Sequence, residues 1–307
     1  MKSGATETSY HYLFQYYTPP ENVIIHHNPA ELVRSEKPFR VLWAHHGHDQ
    51  PINLNIREQI KMIDLLVCVS EWSKQQYMKY LKIPEWKVTV IPNGCSDIFV
   101  PAVHKSPTFI HTSIPYKALP VFPDLWKIIH SQRPQAKLKI FSSMNLYGED
   151  MQDHYQELYD YLKRMPGVEY SESIDQKELV AHYQDAAFFI HPNIWEETFC
   201  VSMIEAMRCG CYPIISDIGA LPETSGELAN IIKMHGEATS RGWIPSDQFI
   251  NNFAQSCIDV LDIFESNRQL YNKTIQTCSN YVCEKYDWKK LAEIWKTTIE
   301  SIPGVIK

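Results

Sequence analysis

Short runs rich in β-branched and aromatic residues alternate along this chain with segments of helical period, and that alternation leaves few architectures open. Residues 23–27, 40–45, 65–70 and 87–91 read as strands in the first third. Further strands follow at 108–112, 137–141, 168–170, 187–191 and 212–216, separated by helical stretches near 121–131, 151–164, 176–185 and 200–209. The last third reads as mostly helical. Strand and helix in turn imply βα units and parallel sheets rather than a sandwich or a bundle. Ser70 caps a helix that runs to Leu81, Ile83-Pro84 ends it, and Pro92-Asn93-Gly94 turns the chain. The proline-bounded stretch 101–107 reads as a linker, and 307 residues leave room for a domain on each side of it. Two such domains in tandem place a ligand between them, because open parallel sheets bind at the carboxyl ends of their strands.

Composition narrows the partners. Lys plus Arg number 29 against 36 Asp plus Glu, a net charge of −7, so nothing draws the chain as a whole to nucleic acid or an anionic membrane. It contains no long apolar run and no signal-peptide order at its start, so a cytoplasmic protein is expected. The eight cysteines lie mostly in apolar segments and read as buried thiols. Cys209 and Cys211 lack a second ligand pair nearby, and no metal site is expected.

The stretch from His191 to Glu223, HPNIWEETFCVSMIEAMRCGCYPIISDIGALPE, carries the most chemistry. A buried strand through Phe188, Phe189 and Ile190 opens into a loop holding Glu196 and Glu197, and a helix starts near Phe199 or Cys200. Amides at such a start have no partner within the helix and suit a diphosphate. Glu205 lies about 6 Å further along that helix, with its side chain leaning back toward the start. It is placed to reach a ribose diol, and Glu197 the other end of the same ligand.

The order of strand, proline, Glu197, Phe199, Glu205-Ala206-Met207 and the Gly219-Ala220 loop resembles the Glu-x7-Glu region of family 4 retaining glycosyltransferases of the GT-B fold. The resemblance implies an α/β chain of two Rossmann-like domains facing a cleft. A shortened acceptor-side domain would span 1–103, a donor-binding domain 104–285, and a helix crossing back to the first domain 286–307. It implies that Glu197 contacts the donor sugar, Glu205 the ribose, and the Phe199 and Cys200 backbone the diphosphate. Residues 109–118 are similar to the family's first donor-domain strand and loop, with Ser113 facing the nucleotide and Lys117 offsetting the leaving group's charge. Thr112 stands where many members carry arginine, and Ala118 where they carry glycine. Ser171 opens the stretch that matches the base-contacting loop. Gly4 belongs to a weak match to the diphosphate-binding loop ahead of the first helix, a stretch that reads equally as a disordered terminus.

His45, His46, His48 and Asp49 follow the second strand. Their spacing does not reproduce a metallo-hydrolase motif. The resemblance places His45, with His46 as the close alternative, against the donor sugar; the plainer reading is a strand-end histidine satisfied by local backbone. Lys74, Lys79, Lys82 and Lys87 interleave with Trp72, Tyr77, Tyr80 and Trp86, a solvated face over a core stripe or, less favoured, a membrane contact.

The expected function is transfer of a sugar from a nucleotide-diphosphate sugar to a glycan, lipid-linked or protein-linked acceptor, with retention. No cofactor is implied beyond the donor. A nucleotide-sugar epimerase of the same architecture and a non-catalytic sugar-nucleotide-binding module are the rival readings.

Overall fold

The computed structural model describes residues 5–48, 56–102, 104–147, 153–239 and 242–305. Its first part runs α1 (Ala5–Tyr16), β1 (Val23–His26), α2 (Pro29–Arg34), β2 (Phe39–Ala44), α3 (Ile56–Gln59), β3 (Leu65–Cys68), α4 (Glu71–Leu81) and β4 (Val88–Val90). The four strands form one parallel sheet in the order β1-β2-β3-β4. β3 is buried along its whole length, which is why Leu65 to Cys68 are all apolar.

The second part runs β5 (Ser106–Thr112), α5 (Pro115–Ala118), α6 (Phe122–Gln132), β6 (Lys137–Phe141), α7 (Gln156–Lys163), β7 (Val168–Ser171), α8 (Gln176–Asp185) and β8 (Ala186–His191). It continues through α9 (Val201–Arg208), β9 (Tyr212–Ser216), α10 (Leu221–Ser225) and β10 (Asn230–Ile232). These strands make a six-stranded parallel sheet ordered β10-β9-β8-β5-β6-β7. Chain order reverses between β8 and β5, so the crevice at their carboxyl ends is where a ligand is expected. α6 buries Phe122, Leu125, Trp126 and Ile129, a helical stripe with steps of three and four from Phe122 and from Leu125 or Trp126, against this sheet.

A hairpin of β11 (Gly236–Thr239) and β12 (Gly242–Pro245) precedes α11 (Asp247–Ser266), α12 (Arg268–Lys285) and α13 (Trp288–Glu300). α13 leaves the second sheet and packs on α1, burying Trp288, Leu291, Ala292, Trp295 and Ile299. Trp43 of β2 meets the Trp295 ring at 4.8 Å and the Trp288 ring at 6.5 Å. Gly94 is required beneath this joint, because a Cβ there would lie 2.5 Å from the Trp288 ring.

One expectation is corrected. The stretch 101–107 is not linker to its end: β5 already starts at Ser106, and Lys105 is buried, donating to the Tyr183 and Cys209 carbonyls at 2.7 Å each. The last third is mostly helical, as expected, with β10, β11 and β12 the exceptions. No described helix is long and apolar enough to cross a membrane. In the basic, aromatic segment Tyr77 is buried and donates to the His46 carbonyl, whereas Tyr80 and Trp86 are exposed.

Candidate active site

A cavity of about 690 Å³ lies between the two sheets and is lined from both. The loop after β5 supplies Ser113 and α5 supplies Tyr116 and Lys117; the loop after β8 supplies Trp195, Glu196, Glu197 and Thr198; α9 supplies Val201, Ser202 and Glu205. From the first part come His45, His46 and Gly47 after β2, with Thr6, Glu7 and Thr8 of α1.

Lys117 and Glu197 form the charged centre. The Lys117 ammonium donates to Glu197 Oε1 at 2.6 Å, with the carboxylate only 5% exposed. Burial pushes the Glu197 carboxyl up, but Lys117 and His191 more than cancel that and hold it below its ordinary value. His191 Nε2 lies 3.5 Å from the same oxygen, while burial lowers the His191 pKa and keeps the ring neutral. Behind it, the ring of His111 stacks on His191 and bonds the Ile190 carbonyl through Nδ1 at 2.9 Å. Thr112, the departure from the family pattern, bonds the Tyr183 hydroxyl, so a neutral pair fills that position.

The turn through Gly219 holds the Glu197 loop in place. Ala220 donates to the Glu197 carbonyl at 2.8 Å, and Gly219 has φ +64°, with the Glu197 carbonyl oxygen 2.4 Å from where a Cβ would stand. Gly219→Ala is therefore expected to cost about 2–4 kcal/mol through strain and displacement of Glu197. A lowered urea midpoint, with a larger loss in donor binding than in secondary structure, is the expected measurement.

Phe199 and Cys200 lead into α9 at the cavity wall, and Cys200, at the N-cap, offers no side-chain acceptor to the first amides. Those amides are left for a ligand. Glu205 is buried, which pushes its carboxyl up to about 8. Gln176, the first residue of α8, donates to it through its side-chain amide, and Tyr12 of α1 donates to Gln176 Oε1 at 3.4 Å.

His45 and His46 both line the cavity. His45 is the more buried; its ring lies 4.5 Å from the Trp43 ring, and Nε2 has no hydrogen-bond partner among the described residues. Burial places its pKa well below 6.5. His46 is lowered by burial as well, against the opposing pull of Glu7. Both are neutral at pH 7 and suited to donating or accepting a hydrogen bond with a sugar hydroxyl.

The expected site residues thus converge, with two exceptions. Ser171 ends β7, paired with Phe141, and is exposed outside the cavity; Ser173 and Ile174 line it instead, because β7 extends one residue beyond the expected strand. Gly4, like Asp49, lies outside the described residues. Sequence reasoning missed Gln176, although Asp175 is a readable N-cap and places the next residue at the cleft end of α8. It also missed the Tyr116–Trp195 pair, whose rings meet at 5.2 Å on the cavity wall.

One group among the described residues has metal-ligand character: atoms of His191, Glu197 and Cys200 lie within 4.8 Å of one another. The fit to a dication is poor. The Lys117 ammonium already occupies the carboxylate, and burial pushes the Cys200 thiol up to about 12, away from the thiolate a metal needs.

Two facing parallel-sheet domains with this cleft define the GT-B architecture. The chain belongs to the glycosyl transferases group 1 family, which matches residues 107–277, while residues 11–97 match Glycosyltransferase Family 4. It is a glycosyltransferase of that fold. None of the curated proteins matches the chain. Among solved structures it is similar to a glycosyltransferase from Rickettsia africae, with TM-score 0.65 and 17% identity over 86% of this chain and 71% of that one. The pneumococcal O-GlcNAc transferase GtfA, in complex with UDP and GlcNAc, aligns with TM-score 0.65 and 14% identity over 97% of this chain and 60% of its own. Anabaena HepE, in complex with UDP and glucose, aligns with TM-score 0.66 and 15% identity over 91% and 78%. At these identities the likeness is one of fold, and this chain spans only about three fifths of GtfA.

Proposed function

We propose that the protein moves a sugar from a nucleoside-diphosphate donor to a hydroxyl of a glycan, lipid-linked or protein-linked acceptor, retaining the anomeric configuration. The observation that carries this reading is the convergence of Lys117, Glu197, Glu205, the α9 start and the His45–His46 pair on one cavity fed by both sheets. In it Glu205 takes the ribose diol, the α9 amides and Lys117 take the diphosphate, and Glu197 with His45 or His46 orients the sugar. Lys117 then has two anionic partners in reach, Glu197 and the leaving phosphate. As the anomeric C–O bond breaks, the charge that develops on the phosphate draws the ammonium. The acceptor hydroxyl attacks on the same face, its oxygen bonds to the anomeric carbon, and its proton passes to the departing phosphate oxygen. No protein nucleophile and no metal ion is needed in this scheme.

The UDP bound in the GtfA and HepE structures makes UDP-sugars the first donors to try. Incubation with a panel of nucleotide sugars, with and without acceptors and with EDTA, is expected to give free nucleotide only with acceptor, insensitive to EDTA. The product anomer, read by NMR, should match the donor. An isomerised donor without acceptor, or binding without turnover, would replace this reading with an epimerase or a binding module.

A further inference from the structure

The residue between Glu197 and Phe199 makes contacts that its neighbours' roles do not explain. Thr198 sits on the loop after β8, yet it bonds to the facing sheet through both side chain and backbone. Its hydroxyl donates to the His45 carbonyl at 2.6 Å, and its carbonyl accepts from the Ser70 hydroxyl at 2.7 Å. Ser70 is itself the cap of α4, accepting from the Ser73 amide at 3.0 Å. At the same helix end, the amides of Glu71 and Trp72 donate to the two carboxylate oxygens of Glu223, at 2.8 and 2.9 Å. First-turn amides have no partner within their own helix, so these two are satisfied from across the cleft. Glu223 stands on α10, a few residues past the Gly219 turn that packs on the Glu197 backbone. One patch, from Glu197 and Thr198 through Gly219 to Glu223, therefore grips the chain just beyond both β2 and β3.

We propose that Thr198 is a positioning residue for sugar transfer. By holding the His45 carbonyl it sets where the His45 ring enters the cavity, and it couples seating of the donor sugar at Glu197 to closure of the acceptor side. This rests on the transfer reading above for its catalytic consequence, and on hydrogen bonds alone for the closure. Serine at 198 keeps the hydroxyl; valine keeps the shape and loses it.

The test uses the full chain with Thr198→Val, Thr198→Ser and Glu223→Ala. Amide exchange at Glu71 and Trp72 is followed in the absence of ligand, beside kcat and KM for the donor. Glu223→Ala sets the rate for amides that have lost their acceptor. Exchange in Thr198→Val is expected to rise about 10-fold over the unmodified protein, and in Thr198→Ser to stay close to it. Transfer should follow, with kcat about 10-fold lower in Thr198→Val, donor KM within about twofold, and serine restoring the rate. Unchanged exchange in Thr198→Val overturns the proposal whatever the activity, and so does a serine variant as impaired as the valine one. If the unmodified protein transfers no sugar from any donor, the transfer reading fails and the exchange rates still decide the closure.

Discussion

Replacing Glu205 by glutamine is expected to stabilise the ligand-free protein at pH 8 while weakening nucleotide binding by about 10- to 100-fold. Both effects follow from one buried carboxyl. Burial lifts Glu205 from its ordinary 4.5 to about 8, so in the empty site it keeps its proton while the unfolded chain has lost it. Between those values the folded state binds more protons, and stability contributed by this group falls as pH rises. Below about 4.5 both states are protonated and above about 8 both are ionised, so the loss is confined to that window. It amounts to about 5 kcal/mol. Glutamine has no proton to lose and still accepts the Gln176 amide. The gap in melting temperature between Glu205→Gln and the unmodified protein should open from pH 5 and level off near pH 8. A ribose diol favours the ionised carboxylate, so nucleotide binding at pH 7 should release a proton, read by titration calorimetry in buffers of different ionisation enthalpy. Parallel melting profiles and equal affinities in the two proteins would remove Glu205 from the ribose role.

Lys117→Met is expected to slow transfer by about 10²- to 10³-fold, the scale on which a preorganised charge at a leaving group acts. It should also destabilise the fold by about 3 kcal/mol, because Glu197 is then a buried carboxylate without its counter-charge. The signs separate by pH. Without the ammonium the Glu197 pKa rises toward what burial alone dictates, so the variant should regain stability as pH falls below neutrality. Lys117→Met combined with Glu197→Gln should restore the melting temperature at pH 7 and leave transfer slow. If the double variant melts as low as the single one, the ion pair is not what lysine contributes to stability.

The donor-side frame was legible because its residues carry their signal locally. Phe188, Phe189 and Ile190 form an unbroken apolar run, which only a strand buried on both faces needs, and β8 is buried from end to end. The eight-position step from Glu197 to Glu205 puts two carboxylates on one cavity wherever a helix starts between them. The hairpin at 236–245 left no such trace: β11 is exposed at every residue, so it has no alternation of apolar and polar. Ser171 was misplaced because the ladder with β6 carries β7 past Tyr170, a matter of register that single-strand composition does not record. Thr198, Ser70 and Glu223 were unreadable for a different reason. Each bonds a backbone group more than a hundred positions away, and a backbone carbonyl or amide looks the same at every residue.

The joint beneath Trp43 orders events at the ribosome. β2 and α1 emerge early, but the hydrophobic surface they present is covered by Trp288 and Trp295, which are made only after every strand among the described residues. The sheet of β5 to β10 has its own core and all its strands in hand before α13 exists. During synthesis the indole-lined face of the first domain is thus left open until the crossing helix arrives.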